Sequence, residues 1–306
     1  MILNSLQSGN LNKINRATRG NFAFTLIELL VVIAIIGILS ALIVVGMSST
    51  TQKATIAKAQ VFSNSLRNSL MNNLISEWKL DGSGNDLWGG NNGSLVGATH
   101  LPVLMAISDC ISGQCYQFDG TEDYIDIGDK DNLSFENNIF TFSIWINANR
   151  TSNLGVLGKR GLWEYSIYST NGNLRFYAWN SAGSYVYANE SPIEINKWIH
   201  FIWTANGSNA YLYKNGSVYG SPAAKSSNNM NNTAASFRIG HGGDGGGQQF
   251  MSGMIDEVRV FSAAMSTSQV QQNYFAGLNK LFSKNQINQL DYQQRLAELS
   301  KNYAKN

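Results

Sequence analysis

Three successive patterns of apolar and polar positions divide the chain. From Phe24 to Met47 the residues are almost continuously apolar, interrupted by Thr25, Glu28 and Ser40. A helix of that length spans about 36 Å, enough to cross a hydrocarbon core of roughly 30 Å. From Ser48 to Leu74 there is no Pro or Gly, and Ile56, Val61, Phe62, Leu66, Leu70 and Leu74 recur mostly at i, i+4. That spacing predicts an amphipathic helix over 48–74, its stripe lying on the globular part or on neighbouring helices. From Glu77 onward, short aromatic and β-branched runs alternate with Gly, Asn, Ser and Asp clusters, the signature of a sandwich or barrel. Strands are predicted at Tyr124–Ile127, Thr141–Ile146, Glu164–Tyr168, Leu174–Trp179, Trp198–Thr204, Ala210–Lys214, Ser236–Ile239 and Met254–Phe261, with turns at Asn171-Gly172-Asn173, Ala205-Asn206-Gly207 and Asn215-Gly216. Ser266-Thr267-Ser268-Gln269 reads as a capping box opening a short helix, and Tyr292, Leu296, Leu299 and Tyr303 predict a C-terminal amphipathic helix within 276–306.

Charge sharpens this division. The 22 basic and 20 acidic residues leave a net +2, distributed as +3 over residues 1–23, +2 over 24–75, −6 over 76–275 and +3 over 276–306. The acidic β block excludes a phosphate-binding surface, so no nucleic acid partner is expected. The basic flank ahead of the apolar run predicts a single membrane span with its N-terminus in the cytoplasm and the β domain exported. Glu28 is the anomaly of that span. A carboxylate inside an apolar helix is costly without a cation, and residues 20–35 contain no basic side chain.

The run Phe24-Thr25-Leu26-Ile27-Glu28-Leu29-Leu30-Val31-Val32-Ile33-Ala34-Ile35-Ile36-Gly37-Ile38-Leu39 closely resembles the start of type IV pilins and pseudopilins. The resemblance implies a basic leader, 1–23, removed by a prepilin peptidase between Ala23 and Phe24, followed by methylation of the new N-terminus. Glu28 then becomes the fifth mature residue, and the α-ammonium of a Phe24 supplies its missing cation as subunits pack through 24–47. The family usually has Gly before the cut, where this chain has Ala23. Cutting after Gly20 would instead make Glu28 the eighth residue.

The β block resembles a LamG-like, concanavalin A-type jelly roll. The resemblance rests on Glu77-Trp78-Lys79-Leu80, Phe118-Asp119-Gly120-Thr121-Glu122-Asp123-Tyr124, Phe140-Thr141-Phe142-Ser143-Ile144-Trp145, Lys197-Trp198-Ile199-His200, Tyr211-Leu212-Tyr213-Lys214-Asn215-Gly216, Arg238-Ile239-Gly240 and Gly253-Met254-Ile255-Asp256-Glu257-Val258-Arg259-Val260-Phe261. It implies an all-β jelly-roll domain over 75–275, with Trp145, Trp198 and Phe261 in strand cores and Asp119 with Gly120 shaping a turn. In the related pentraxins a loop before the final strand pair holds calcium with an Asp and a Gln that Asp244 and Gln249 resemble, while Gly242 and Gly243 stand where further acidic ligands would be. Calcium is thus the candidate cofactor, with Asp119 and Asp123 as a second, weaker place. For sugar binding, Trp163, Trp179, Tyr185 and Tyr187 are candidate stacking faces, with Trp179 expected in the core.

Other chemistry is scarce. Cys110 and Cys115 flank a short run that can close as a hairpin, and export favours a disulfide, the alternatives being two buried thiols or a redox pair. The three His (His100, His200, His241) fit no H-E-x-x-H pattern, and His200 reads as structural. Gly240-His241-Gly242-Gly243-Asp244-Gly245 satisfies G-x-G-x-x-G but precedes a strand, so no helix N-terminus awaits a pyrophosphate. The E-x-D-x-x-E motif of glycosidases with this type of fold is absent, and no enzyme activity is expected. The sequence thus predicts a pilin-like filament subunit displaying a lectin module. A secretion pseudopilin with a non-binding sandwich and a membrane-anchored carbohydrate-active protein are the alternatives.

Overall fold

The computed structural model describes residues 71–159, 161, 164–226, 228–242 and 249–303. The leader, the apolar run and the 48–70 stretch lie outside them, as do Trp163 and Asp244. Among the described residues no helix is long and apolar enough to cross a membrane.

Two antiparallel sheets form the domain. One runs β13 (Ser217–Val218), β12 (Asn209–Lys214), β11 (Ile199–Asn206), β6 (Ile139–Ala148), β16 (Ser252–Phe261), β4 (Tyr116–Asp119), β3 (Val103–Leu104). On the edge of β16 that faces away from β6, β4 takes the first half and β1 (Leu74–Trp78) the second, while β14 (Ala223–Ala224) joins β12. The other sheet runs β10 (Tyr185–Pro192), β9 (Asn173–Trp179), β8 (Tyr165–Thr170), β7 (Gly155–Lys159), β15 (Phe237–Ile239), β5 (Tyr124–Gly128), β2 (Ser94–Val96). All eight predicted strands are present, extended by one or two residues at several ends and starting one residue later in β8, β11 and β15. The Asn171-Gly172 and Asn215-Gly216 turns have φ of 51° and 81°, and 50° and 77°, the paired positive values that a two-residue hairpin with right-handed strand twist requires.

The core lies between the sheets. It is built by alternate residues such as Phe140, Phe142, Ile144 and Ile146 of β6, Phe201 and Trp203 of β11, and Leu174 and Phe176 of β9. The rings of Phe140 and Trp203 meet edge to face at 4.7 Å.

Two helices, α1 (Thr267–Ser283) and α2 (Gln289–Tyr303), follow β16. Ser266 caps α1 through the capping box its sequence predicts. The structure moves two predicted boundaries. Leu74 opens β1 instead of closing the preceding helix, and the break placed at 275/276 falls inside α1. Leu74 pairs with Phe261 of β16 and Ser76, Glu77 and Trp78 with Val260, Arg259 and Val258, and that pairing overrides the helical spacing reaching Leu74.

The helices cover the back of the first sheet. Trp145 and Trp198 are buried there with Tyr274, Leu278, Leu281 and the Cys110–Cys115 disulfide, and Phe261 is buried with Ile202 and Val270. These three landmark aromatics are therefore buried, but in the layer behind the sheet and not in the inter-sheet core. Polar groups organise this layer: Thr141 Oγ1 and Thr204 Oγ1 lie 2.6 Å apart, Thr141 donates to Ala263 O, and Met265 N donates to Thr204 Oγ1. A bulge in β16 between Asp256 and Arg259, with Glu257 at φ 52°, leaves both acids buried. Asp256 Oδ2 accepts from Ser112 N and Glu257 from Arg259, which also binds Glu77.

Candidate binding face

The outer face of the seven-stranded sheet is organised differently, and neither described helix packs on it. Along β9, Leu174, Phe176 and Ala178 enter the core, so Arg175, Tyr177 and Trp179 project the other way. Tyr168 of β8 stands opposite Arg175, and Glu190 of β10 faces Arg175 from the other side. The result is an aromatic cluster separate from the core. Tyr168 stacks on Trp179 at 6.3 Å, Tyr177 meets Tyr185 edge to face at 4.6 Å, and Tyr185 lies 5.8 Å from Trp179. Tyr168, Tyr177 and Trp179 are buried in this cluster, while Tyr185 remains 50% exposed.

A charged pair borders the rings. Arg175 Nε lies 3.2 Å from Glu190 Oε1, and its guanidinium sits 5.5 Å over the Tyr177 ring. The Tyr177 hydroxyl donates to Glu190, and burial, reinforced by that carboxylate, pushes its ionisation upward. Tyr177 therefore remains a neutral donor. An aromatic plate beside a paired carboxylate and guanidinium can take a ligand with one apolar face and a rim of hydroxyls.

The predicted site residues are distributed over this face and the adjoining loops. Tyr187 faces the core, while Trp179 lies on the opposite face, buried by its neighbours. Among the described candidates, Tyr185 presents a ring. Gln249 closes the loop opened by His241: its backbone O accepts from Gly242 N at 2.9 Å, and Nε2 donates to Ser169 O at 3.3 Å. Gly155 admits that loop, because a Cβ there would lie 1.8 Å from Gln249 O.

Asp119 and Gly120 shape the turn between β4 and β5, as expected, with Gly120 at φ 86°, and Asp123 closes it. Asp119 Oδ1 accepts from Thr121 N and Oδ2 from Thr121 Oγ1, both at 2.7 Å, while Asp123 Oδ1 accepts from Asp119 N at 3.0 Å. Burial would raise the Asp119 carboxyl, but these hydrogen bonds outweigh it and bring it down to about 2. Burial carries Asp123 up to about 7. The pair is thus split into an anionic and a readily protonated carboxyl. Sequence reasoning missed the groups that gather around Asp119. His100, Asp119 and Glu122 each offer a ligand atom, all within 4.8 Å of one another. Glu122 Oε1 also accepts from Thr99 N and His100 N. His100 belongs to a distant loop with no periodic pattern, so only the folded chain brings it to Asp119.

Two antiparallel sheets packed face to face, one backed by helices and the other carrying an aromatic strip, define a lectin-type jelly roll. The chain belongs to the concanavalin A-like lectin/glucanases superfamily, whose family model matches residues 119–271, half of the chain. A second model, the prokaryotic N-terminal methylation motif, matches residues 18–44 and contains Ala23, Phe24 and Glu28. The chain thus joins a pilin-type N-terminus to a concanavalin A-like domain. No curated protein matches it in sequence. Among solved structures it is similar to domain 4 of AbnA, an extracellular arabinanase of Geobacillus stearothermophilus in complex with arabinotriose. The TM-score is 0.53 at 19% identity, covering 65% of this chain and 97% of that one. It is also similar to the binding domain of Paraclostridial Mosquitocidal Protein 1, with TM-score 0.56 at 17% identity over 69% of this chain and 53% of that one. A third is the botulinum neurotoxin serotype D ligand binding domain in complex with N-acetylneuraminic acid, with TM-score 0.55 at 14% identity over 70% and 53%. The chain therefore spans about half of the two toxin domains, and at these identities the likeness is one of fold.

Proposed function

We propose that this chain is a subunit of a type IV pilus-type filament whose sandwich recognises glycans through the Tyr185 end of the seven-stranded sheet. The observation that carries the reading is the unequal treatment of the two sheets. One is backed by α1 and α2, while the other places Tyr168, Tyr177, Trp179 and Tyr185 outside the core beside the Arg175–Glu190 pair. Carbohydrates in complex with two similar folds support the same ligand class. A pyranose ring lies its C–H face on Tyr185, and vicinal hydroxyls donate to Glu190 and accept from Arg175.

A glycan array probed with the full chain sheared from cells, with and without calcium, tests the recognition. Tyr185→Ala is expected to lose at least about tenfold in affinity, the equivalent of ~1.4 kcal/mol of stacking. Retention of no glycan, or equal binding by Tyr185→Ala, refutes this face. Calcium dependence assigns a cation to the His100–Asp119–Glu122 turn or the Asp244–Gln249 loop. Binding unchanged by chelation removes both from the mechanism.

Assembly follows the pilin pathway in this reading. The peptidase cuts after Ala23, the methylated Phe24 ammonium pairs with Glu28 in low dielectric, and that pairing sets subunit register. N-terminal sequencing of surface-sheared protein is expected to begin at methylated Phe24, and Glu28→Ala is expected to leave processed protein in the membrane but none in the sheared fraction. A surface chain beginning at Met1, or normal shearing of Glu28→Ala, refutes it.

A further inference from the structure

At one end of the core, a lysine occupies a position where the strand pattern calls for an apolar side chain. Lys159 ends β7 opposite Tyr165, a core residue, and its side chain is 0% exposed. Lysine is among the residues least often fully buried. Four oxygens surround Nζ: Ser134 Oγ at 2.7 Å, Asp129 Oδ1 at 2.8 Å, Thr233 O at 2.9 Å and Glu164 Oε2 at 3.2 Å. Glu164 is also fully buried; Oε2 accepts from Thr233 N and Oγ1, and Oε1 has no hydrogen-bond partner among the described residues. Asp129 follows the last residue of β5, and its side chain is 40% exposed.

The sheet register explains why these groups meet. β15 lies between β5 and β7, with Phe237 opposite Gly128 and Arg238 opposite Gly158. The next residues, Asp129 and Lys159, therefore flank β15 from both sides.

The proton inventory is unusual for an ion pair. With all three groups ionised, the cluster would hold two negative charges and one positive charge in a buried site. Burial raises the Glu164 carboxyl against the pull of Lys159. A simple buried ion pair does not account for retaining these charges, because apolar residues of similar volume serve stability as well.

We propose that Lys159 and Asp129 condense into an intramolecular isopeptide bond, with Glu164 carrying the proton between them. In this step Lys159 passes one proton to Asp129, the freed Nζ lone pair adds to Asp129 Cγ, and a protonated Glu164 gives its proton to the departing carboxyl oxygen and takes one from the nitrogen. The Cγ–O bond breaks, one water leaves through the exposed side of Asp129, and a secondary amide remains with Glu164 again neutral. Lys159 Nζ and Asp129 Oδ1 are consumed, no oxidant or reductant enters, and the enforced approach supplies the effective concentration that the reaction lacks in solution. Ser134 Oγ and Thr233 O hold the nitrogen in place during the approach. The bond fastens β5 to β7 across β15. It stands independently of the glycan reading.

Peptide mass spectrometry of the full chain, denatured, reduced and digested with trypsin, decides the matter. The expected product is one branched peptide joining the Asp129 and Lys159 segments, lighter than their sum by one water, with no cleavage after Lys159. Two separate linear peptides overturn the proposal, as does a water lost only as a succinimide at an Asp-Gly pair such as Asp119-Gly120. Asp129→Asn is expected to give the same branched peptide by releasing ammonia, and its absence from that variant, with a wild-type circular dichroism spectrum, counts against condensation. Glu164→Gln, likewise checked for folding, is expected to yield mostly linear peptides. An undiminished branch there removes Glu164 from the step.

Discussion

The contact between α1 and the back of the first sheet makes a quantitative demand on one residue, Gly277. A Cβ built at Gly277 would lie 2.3 Å from Trp145 Cζ2, 2.7 Å from Cε2 and 3.0 Å from Nε1. An ordinary carbon–carbon contact is about 3.5–4.0 Å, so more than 1 Å must be recovered by movement. The Trp145 ring cannot give way easily, because it is stacked on His200 at 4.7 Å and on Tyr274 at 5.7 Å. The helix must therefore lift, carrying Leu278 and Leu281 away from the same cluster. Overpacking of this kind costs about 1–3 kcal/mol, and the overlap places Gly277→Ala near the upper end. Replacing a helical glycine by alanine returns about 1 kcal/mol. The net expectation is a loss of about 1–2 kcal/mol, or roughly 2–8 °C in Tm for a domain of this size. Thermal unfolding of the full chain, followed by near-ultraviolet circular dichroism, reads this directly. The same substitution made with Trp145→Phe, which clears the space, is expected to be neutral or stabilising. A Tm for Gly277→Ala at or above wild type, or the same loss in the Trp145→Phe background, refutes the steric account.

Two further predictions concern the same layer. Burial, with Glu257 alongside, pushes the Asp256 carboxyl from 3.8 up to about 8, so the folded state holds a proton that the unfolded state releases, and stability falls as pH rises toward 8. Burial sends His200 the other way, from 6.5 down to about 3, so its contribution rises with pH and is complete near 6.5; above it the raised carboxyls of Asp123 and Asp256 set the slope, with Asp256 the larger between pH 7 and 8 because Asp123, at about 7, is already half ionised there. Urea unfolding is expected to lose about 1 kcal/mol between roughly pH 7 and 8, and Asp256→Asn to flatten that limb; an unchanged slope in the variant counts against it. The disulfide anchors the turn between α1 and α2, since Lys284 Nζ and Gln286 Nε2 both donate to Cys110 O. Removing both cysteines as Cys110→Ala and Cys115→Ala is expected to cost about 2 kcal/mol, the chain-entropy value for so short a loop. Limited proteolysis should then cut first near Asn285–Asn288. A cut elsewhere, with stability unchanged, refutes the anchoring role.

Much of the architecture was legible because it is written in short-range chemistry. Asn-Gly pairs at positive φ mark hairpins, Ser266 and Gln269 mark a helix start, and the period of β9 separates Phe176 from Tyr177. What was not legible depends on contacts between distant segments. β7 and β10 carry Gly, Ser, Asn and Pro, which dilute a strand signal, and they exist as strands through β8 and β9. Leu74 satisfies a helical stripe and a strand equally well until β16 is present to pair with it. The meeting of Lys159 with Asp129 follows from register across β5, β15 and β7, and that of His100 with Glu122 from two loops beside the β2–β5 pair, neither of which a local spacing encodes.

The landmark aromatics show why periodicity fails where it does, and the failure bears on function. Alternation reports which side of a strand is wet. In β6, from Ile139 to Ala148, every second residue would have to be wet for the signal to survive, yet seven consecutive residues from Phe140 to Ile146 are buried. Once α1 and α2 cover the back of that sheet, Trp145 and Phe142 are equally dry although they face opposite ways. The sequence can then say that Trp145 is buried but not against what. A sheet buried on both faces has no surface left for a ligand except its rim. The seven-stranded sheet is the opposite case: β10 retains the alternation that a partly wet face requires, with Tyr185, Ala188 and Glu190 exposed or half-exposed between buried neighbours. The recognition proposed above therefore falls to the sheet that the helices leave alone. Its sequence signal is that surviving alternation on β10, where Tyr185 and Glu190 stand beside the aromatic strip of β9.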